Sequence, residues 1–198
     1  MQNEILVILG RKGMGKTTLA FELMKQQRYI FLDIRRSFSP QEIFAQDALL
    51  VRPRTVEQVQ DTLLTFLNGG KSIVVQASEE VNQIFLEMVA HLTVEGKLLN
   101  FWLVVDEANF YMSSHELHPA IKTIIAVGRQ SQLNQIYIAR DSTELHPHVR
   151  SQADEIYSFQ QREPNQLKYA SQLTEHWEML RDLPKFKYIK LREKPLDN

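Results

Sequence analysis

Residues 5–18 read ILVILGRKGMGKTT. Five consecutive apolar residues, Ile5 to Leu9, run into Gly10–Thr17, a full match to G-x-x-x-x-G-K-[ST], and a helix-competent stretch at 16–27 follows. A strand, a glycine-rich loop and a helix in that order form the context in which such a loop holds phosphate. Glycines let backbone N–H groups close on phosphate oxygens with no Cβ in the way, and the helix N-terminus adds partial positive charge. Gly10, Arg11, Lys12, Gly13, Met14, Gly15, Lys16, Thr17 and Thr18 are therefore the expected nucleotide-binding residues. Lys16 is expected to reach the β- and γ-phosphates, and the Thr17 hydroxyl to bind Mg²⁺. Glycine is scarce in this chain, and three of its seven glycines fall between positions 10 and 15.

Outward from that loop, short apolar runs alternate with longer amphipathic segments, the pattern of helices packed on a parallel sheet. Strands are expected at 5–9, 29–33, 48–52, 72–76, 101–105, 135–139, 155–159 and 187–191. Most are apolar without alternation, as strands buried on both faces must be. Helices are expected at 16–27, 55–67, 79–95, 119–127 and 165–180. In the second of these Thr55 caps, Val56, Val59, Leu63, Leu64 and Leu67 recur at helical spacing, and Gly69-Gly70 ends it. No repeat or low-complexity linker interrupts the pattern, so residues 1–198 are expected to form a single domain.

Composition narrows the class. The chain has 198 residues, 43% of them hydrophobic, with 23 Lys+Arg against 24 Asp+Glu and no cysteine. A chain of this size is long enough to bury roughly 70% of its unfolded surface, its apolar content excludes disorder, and the missing thiols exclude a disulfide scaffold. A formal charge of −1 removes the simplest argument for nucleic acid and confines any such attraction to local patches. No apolar run approaches the ~20 residues of a membrane span, and no signal peptide is visible. A soluble, cytoplasmic protein is expected.

A second acidic motif fits the loop. FWLVVDEAN, residues 101–109, is an apolar run ending in two acids. Asp106 at the strand end is expected to hold the Mg²⁺ shell, and Glu107 to orient and deprotonate an attacking water. Two solvated acids at an ordinary strand end are the alternative. No [NT]-K-x-D tetrapeptide is present to read guanine, and Asp106 lacks a following x-x-Gly, so ATP is the expected nucleotide. There is also no LSGGQ-like signature, and little chain after Gln161 for a helical lid.

These motifs and their order resemble the FtsK/HerA superfamily, most closely the small genome-packaging ATPases of membrane-containing icosahedral viruses. GRKGMGKT resembles the family's Walker A and LVVDEANFYM its Walker B with the following aromatics. AVGRQSQLNQIYIA is similar to its helix-to-strand passage, ELHPHVRSQADEIYSF to the block with a short helix, a polar turn and a last core strand, and LKYASQL with LRDLPKFKYIKL to its closing helix and hairpin. The resemblance implies a RecA-like P-loop NTPase fold, α/β with a mainly parallel central sheet flanked by helices. It further implies an ATP-hydrolysing motor that translocates double-stranded DNA as a homo-oligomeric ring, a hexamer or pentamer, with a capsid or membrane vertex component as a further partner and the host cytoplasm or virion as its place. By position, Arg129 matches the arginine inserted into a neighbour's nucleotide site. The family's polar sensor, typically Gln then Arg-Pro, is replaced by Ala139-Arg140-Asp141. Three roles are open to Arg140: contact with the γ-phosphate, a second inter-subunit arginine, or a pair with Asp141.

Weaker signals remain. Arg28, Arg35, Arg36, Arg52 and Arg54 cluster around the second and third strands, and Arg181, Lys185, Lys187, Lys190, Arg192 and Lys194 enrich the tail. Either group lines a DNA channel or is a solvated face. Residues 109–118, with Phe110, Tyr111, His115 and His118, could form a pore-facing loop. The prolines after His118 and His146 mark turns rather than metal ligands, and Trp102 and Trp177 read as core. A small-molecule or nucleoside kinase and a nucleotide-gated assembly or secretion component are the competing readings.

Overall fold

The structure, a computed structural model, describes residues 3–25, 27–128 and 130–192. Its strands are β1 (Ile5–Leu9), β2 (Tyr29–Leu32), β3 (Ala48–Val51), β4 (Ser72–Val75), β5 (Phe101–Val105), β6 (Leu133–Ala139), β7 (Glu155–Ser158) and β8 (Ile189–Arg192). They form one sheet in the order β3-β4-β2-β5-β6-β1-β7-β8, parallel except for β8, which runs antiparallel to β7. The central strands β1, β2, β5 and β6 are buried along their whole length, which is why their sequences carry no polar alternation. At the antiparallel edge, Lys190 and Arg192 punctuate β8 with charge, a common defence against edge-to-edge pairing.

Among the described residues seven helices cover the sheet: α1 (Lys16–Met24), α2 (Pro40–Ala45), α3 (Val56–Gly69), α4 (Glu79–Val94), α5 (Pro119–Gly128), α6 (Pro147–Gln152) and α7 (Pro164–Ser171). Alternate residues of β1 part to the two faces. Ile5, Val7 and Leu9 join the core under α3 to α7, with Leu63, Phe85 and Ile124 among its members. Leu6 and Ile8 join a second core with Leu19, Ala20 and Met24 of α1 and Ile43 of α2. Each such aliphatic side chain, removed fully from water, stabilises the fold by about 1.5–3 kcal/mol. Helix α3 begins where Thr55 accepts a hydrogen bond from the Gln58 amide and ends at Gly70, whose φ of 70° is left-handed.

The P-loop NTPase fold with a mainly parallel sheet is thus the observed architecture, with strand bounds within two residues of those expected. The expected helix at 165–180 is the main departure. It stops at Ser171, and a tight turn over Trp177–Arg181 follows. Thr174 draws the His176 amide to its hydroxyl, a local bond that competes with the helical ladder, and the turn buries Leu180 while half-burying Trp177. Trp102 is buried. Helix α1 ends at Met24, before the left-handed Lys25. Helix α2 was not expected, being only six residues long. Among the described residues no helix is long and apolar enough to cross a membrane.

Candidate functional site

The carboxyl ends of β1, β6 and β5 bring the candidate residues to one edge of the sheet. Strand β6 lies between the other two, and its register sets Leu9 beside Ala139 and Val105 beside Tyr137. Gly10 donates its amide to the carbonyls of Ala139 and Arg140, at 3.2 and 3.1 Å, tying the phosphate loop to the end of β6. A Cβ on Gly10 would stand 2.7 Å from Phe159 Cβ, and one on Gly15 would stand 2.9 Å from the Phe186 ring, where φ is also +102°. Glycine is therefore required at both by space, and at Gly15 by backbone conformation as well. Lys16 opens α1 and folds back over the loop, its Nζ donating to the carbonyl oxygens of Gly10 (2.6 Å) and Arg11 (3.2 Å). Thr17 and Thr18 follow in the first turn of the helix.

The acids stand opposite. Asp106 follows β5 with 7% of its surface exposed, and its Oδ1 accepts the Glu107 amide at 3.0 Å. Burial pushes its carboxyl up to about 6, the nearby Lys16 ammonium pulling the other way. Glu107 adopts a left-handed backbone, φ 50°. Its Oε1 lies 3.6 Å from Arg35 Nε, and the Arg35 guanidinium sits over the Phe110 ring. Lys16 is held below the ordinary lysine range by burial, against the attraction of Asp106, Glu107 and Glu144 and with repulsion from Arg140. One ammonium, three carboxylates and one guanidinium thus share a single electrostatic neighbourhood.

Two members of that neighbourhood change the reading of the sequence. Glu144, two residues into the turn Ser142–Glu144, was not expected there. Burial raises its pKa, and one of its carboxylate oxygens is buried without a hydrogen-bond partner. Its only sequence signal is an acid a few residues past a strand end. Arg140 is exposed beside the loop, and of its three open roles the pair with Asp141 does not form. Asp141 instead accepts from the amide and hydroxyl of Thr143 and from Gln166 Nε2. Arg129 lies outside the described residues, as do Glu193 and Lys194 of the tail.

The remaining candidates disperse. Arg28 sits at the start of β2, the opposite edge from Arg35, Arg36, Arg52 and Arg54, and covers α3 by stacking on Phe66 and bonding its carbonyl. Lys190 pairs with Glu155, and Arg192 donates to the carbonyls of Arg150 and Ser151. Tyr111 is buried in the core, so it is not presented to a pore. His118 and His146 accept the amides of Ala120 and His148 as local caps.

The site fits a nucleotide with Mg²⁺ on its own chemistry. The Thr17 hydroxyl and the Asp106 carboxylate are hard oxygen donors suited to that ion. Asp106, raised by burial, and the unpartnered oxygen of Glu144 both call for positive charge or a donor.

No protein-family model matches the sequence, and no curated protein matches it. Solved structures do. B204, the DNA-packaging ATPase from Sulfolobus turreted icosahedral virus, is 27% identical, with 96% of this chain and 93% of that chain covered and a TM-score of 0.72. The genome packaging NTPase B204 from Sulfolobus turreted icosahedral virus 2 aligns as a sulfate complex at 21% identity over 96% and 91% of the chains, TM-score 0.72. Its AMP complex aligns at 24% over 95% and 91%, TM-score 0.70. The structural neighbours are thus FtsK/HerA-type P-loop ATPases, the group that the motifs resemble.

Proposed function

We propose that this chain is an ATPase of the genome-packaging type, which hydrolyses ATP to move double-stranded DNA as a homo-oligomeric ring. One observation carries the hydrolytic reading: Glu107, directly after the buried Asp106, shares an electrostatic neighbourhood with Lys16 at the end of the phosphate loop. The B204 neighbours solved with AMP, AMPPCP and ATP-gammaS support an adenine nucleotide there, and the last two support a nucleoside triphosphate.

The chain's own groups divide the work. Loop amides and Lys16 neutralise charge on the β- and γ-phosphate oxygens and keep the γ-phosphorus in line with water. The Glu107 carboxylate orients that water and takes its proton as the oxygen attacks, while the bond from phosphorus to the bridging oxygen breaks and ADP leaves. Mg²⁺, held by Thr17 and Asp106, would offset the charge developing on the phosphates. Of the two roles left to Arg140, the γ-phosphate is the one favoured by its place at the end of β6, across from Gly10.

Arg129 completes the reading in trans. In the chain Arg129 falls between Gly128 and Gln130, ahead of β6, whereas Arg140 follows β6, and the reading assigns Arg129 to the nucleotide of the next subunit. The motor reading predicts that ATP turnover per subunit rises with protein concentration and with added duplex DNA. Turnover indifferent to both overturns it and leaves a monomeric nucleotidase or kinase.

A further inference from the structure

Beside the loop that leaves β2, the ends of β3 and β4 and the start of α4 enclose a cavity of about 250 Å³. Arg36, Arg52, Arg54, Gln76, Ser78 and Val81 are among its lining residues, so three arginines border one small space. Among the described residues none of the three has a carboxylate within ion-pair distance. The acids of the first turn of α4, Glu79 and Glu80, do not line the cavity. Three like charges repel unless an anion sits among them.

The pocket is also built, not merely charged. Gln76, 1% exposed, accepts from Arg52 Nε and Nη2 at 3.2 and 3.0 Å, which fixes the guanidinium plane. Its amide nitrogen is spent on Asp33 Oδ2 (2.8 Å) and the Phe38 carbonyl (3.0 Å), so Gln76 cannot turn away. Arg52 is thereby held in place at the pocket wall, and a guanidinium fork matches the paired oxygens of a phosphate. Ser78, the cap of the 16-residue α4, adds the positive end of that helix.

We propose that this pocket is a second phosphate-binding site, separate from the nucleotide loop, that takes a phosphate group through Arg36, Arg52 and Arg54. Two sources share that chemistry: the phosphodiester of a DNA backbone and a free phosphate or nucleotide tail. Only the first rests on the DNA reading above. Arg36 directly follows Arg35, the partner of Glu107, so the pocket and the catalytic carboxylate meet on one short loop.

The test is a titration of the ¹⁵N-labelled protein with inorganic phosphate. Amides of residues 13–18 report the nucleotide loop, while Arg52 Nε–H and amides 77–81 report the pocket, so failure at one site is not read as failure at the other. The proposal predicts saturable shifts at the pocket reporters, and at least tenfold weaker binding there in Arg52→Ala/Arg54→Ala. Both side chains are exposed, so the fold is expected to tolerate the change. Linear, unsaturable shifts, or equal affinity in the double variant, overturn it. A short duplex that displaces phosphate from the pocket identifies the backbone as the source. A duplex that does not displace it assigns the pocket to free phosphate or a nucleotide tail and removes the DNA arm.

Discussion

Two loops leave parallel strands at the same edge of the sheet and are built in opposite ways. The loop after β1 is made of backbone: glycines 10, 13 and 15 are each at positive φ, Gly10 and Gly15 close against Phe159 and Phe186, and Lys16 lies over the carbonyls of Gly10 and Arg11. The loop after β2 is made of side chains. Asp33, wholly buried, accepts the amides of Ser37 and Phe38 and the side chain of Gln76, and this frame presents Arg35 to Glu107 and Arg36 to the neighbouring cavity. The first is complete within one contiguous segment. The second depends on residues from three strands and acts on the first through Glu107.

That difference sets the expected size of each perturbation. Glu107→Gln keeps the shape of the acid and removes the base; kcat should fall by about 10²–10⁴ with nucleotide still bound, measured by turnover and equilibrium binding in parallel. Lys16→Ala removes charge-assisted bonds to phosphate and should weaken nucleotide binding by roughly 10- to 100-fold. Unchanged affinity would mean that the backbone alone accounts for the first loop.

Asp106 gives a signed pH prediction. Its carboxyl is raised to about 6, so the folded state binds a proton more tightly than the unfolded chain does. That group's contribution to stability is full below the ordinary aspartate range and is lost as pH rises through 6. Activity runs the other way, because a Mg²⁺ ligand must be ionised: kcat/KM, which reports the ligand-free enzyme, should decline as pH falls below about 6. Asp106→Asn should abolish hydrolysis yet stabilise the ligand-free protein at neutral pH by up to about 3 kcal/mol, read from denaturant melts. A less stable variant would place the cause of the raised pKa elsewhere than in burial.

The second loop should give the smallest effect. Arg35→Ala frees Glu107 from a half-exposed pair worth at most about 1 kcal/mol, so basal turnover should rise, by no more than about fivefold. A fall of tenfold or more would make Arg35 part of the reacting centre and erase the distinction between the loops.

The same contrast explains what the sequence could show. The phosphate loop is contiguous, and its strand, turn and helix all announce themselves within fourteen residues. The apolar strands were equally plain because burial on both faces leaves them no polar alternation. What the sequence could not show is assembly across strands. Asp33, Gln76 and Arg52 look like three unrelated strand-end polars until β2, β3 and β4 lie side by side. Arg28 shares a sequence neighbourhood with Arg35, yet the length of β2 sends the two to opposite edges. Nothing in the sequence around Gly128 shows what confines it, yet the space a Cβ would need is filled by the Gln135 side chain, 2.5 Å away.

Mixing two inactive variants separates a site that the next subunit completes from one complete in itself. Subunits carrying Arg129→Ala keep Glu107 but lack the arginine; subunits carrying Glu107→Gln keep the arginine but lack the base. Each preparation alone should be nearly inactive. Their mixture, assayed with ATP, Mg²⁺ and duplex DNA, should recover turnover, because an intact Glu107 then faces an intact Arg129 across some interfaces. A mixture no more active than its parts would contradict the account.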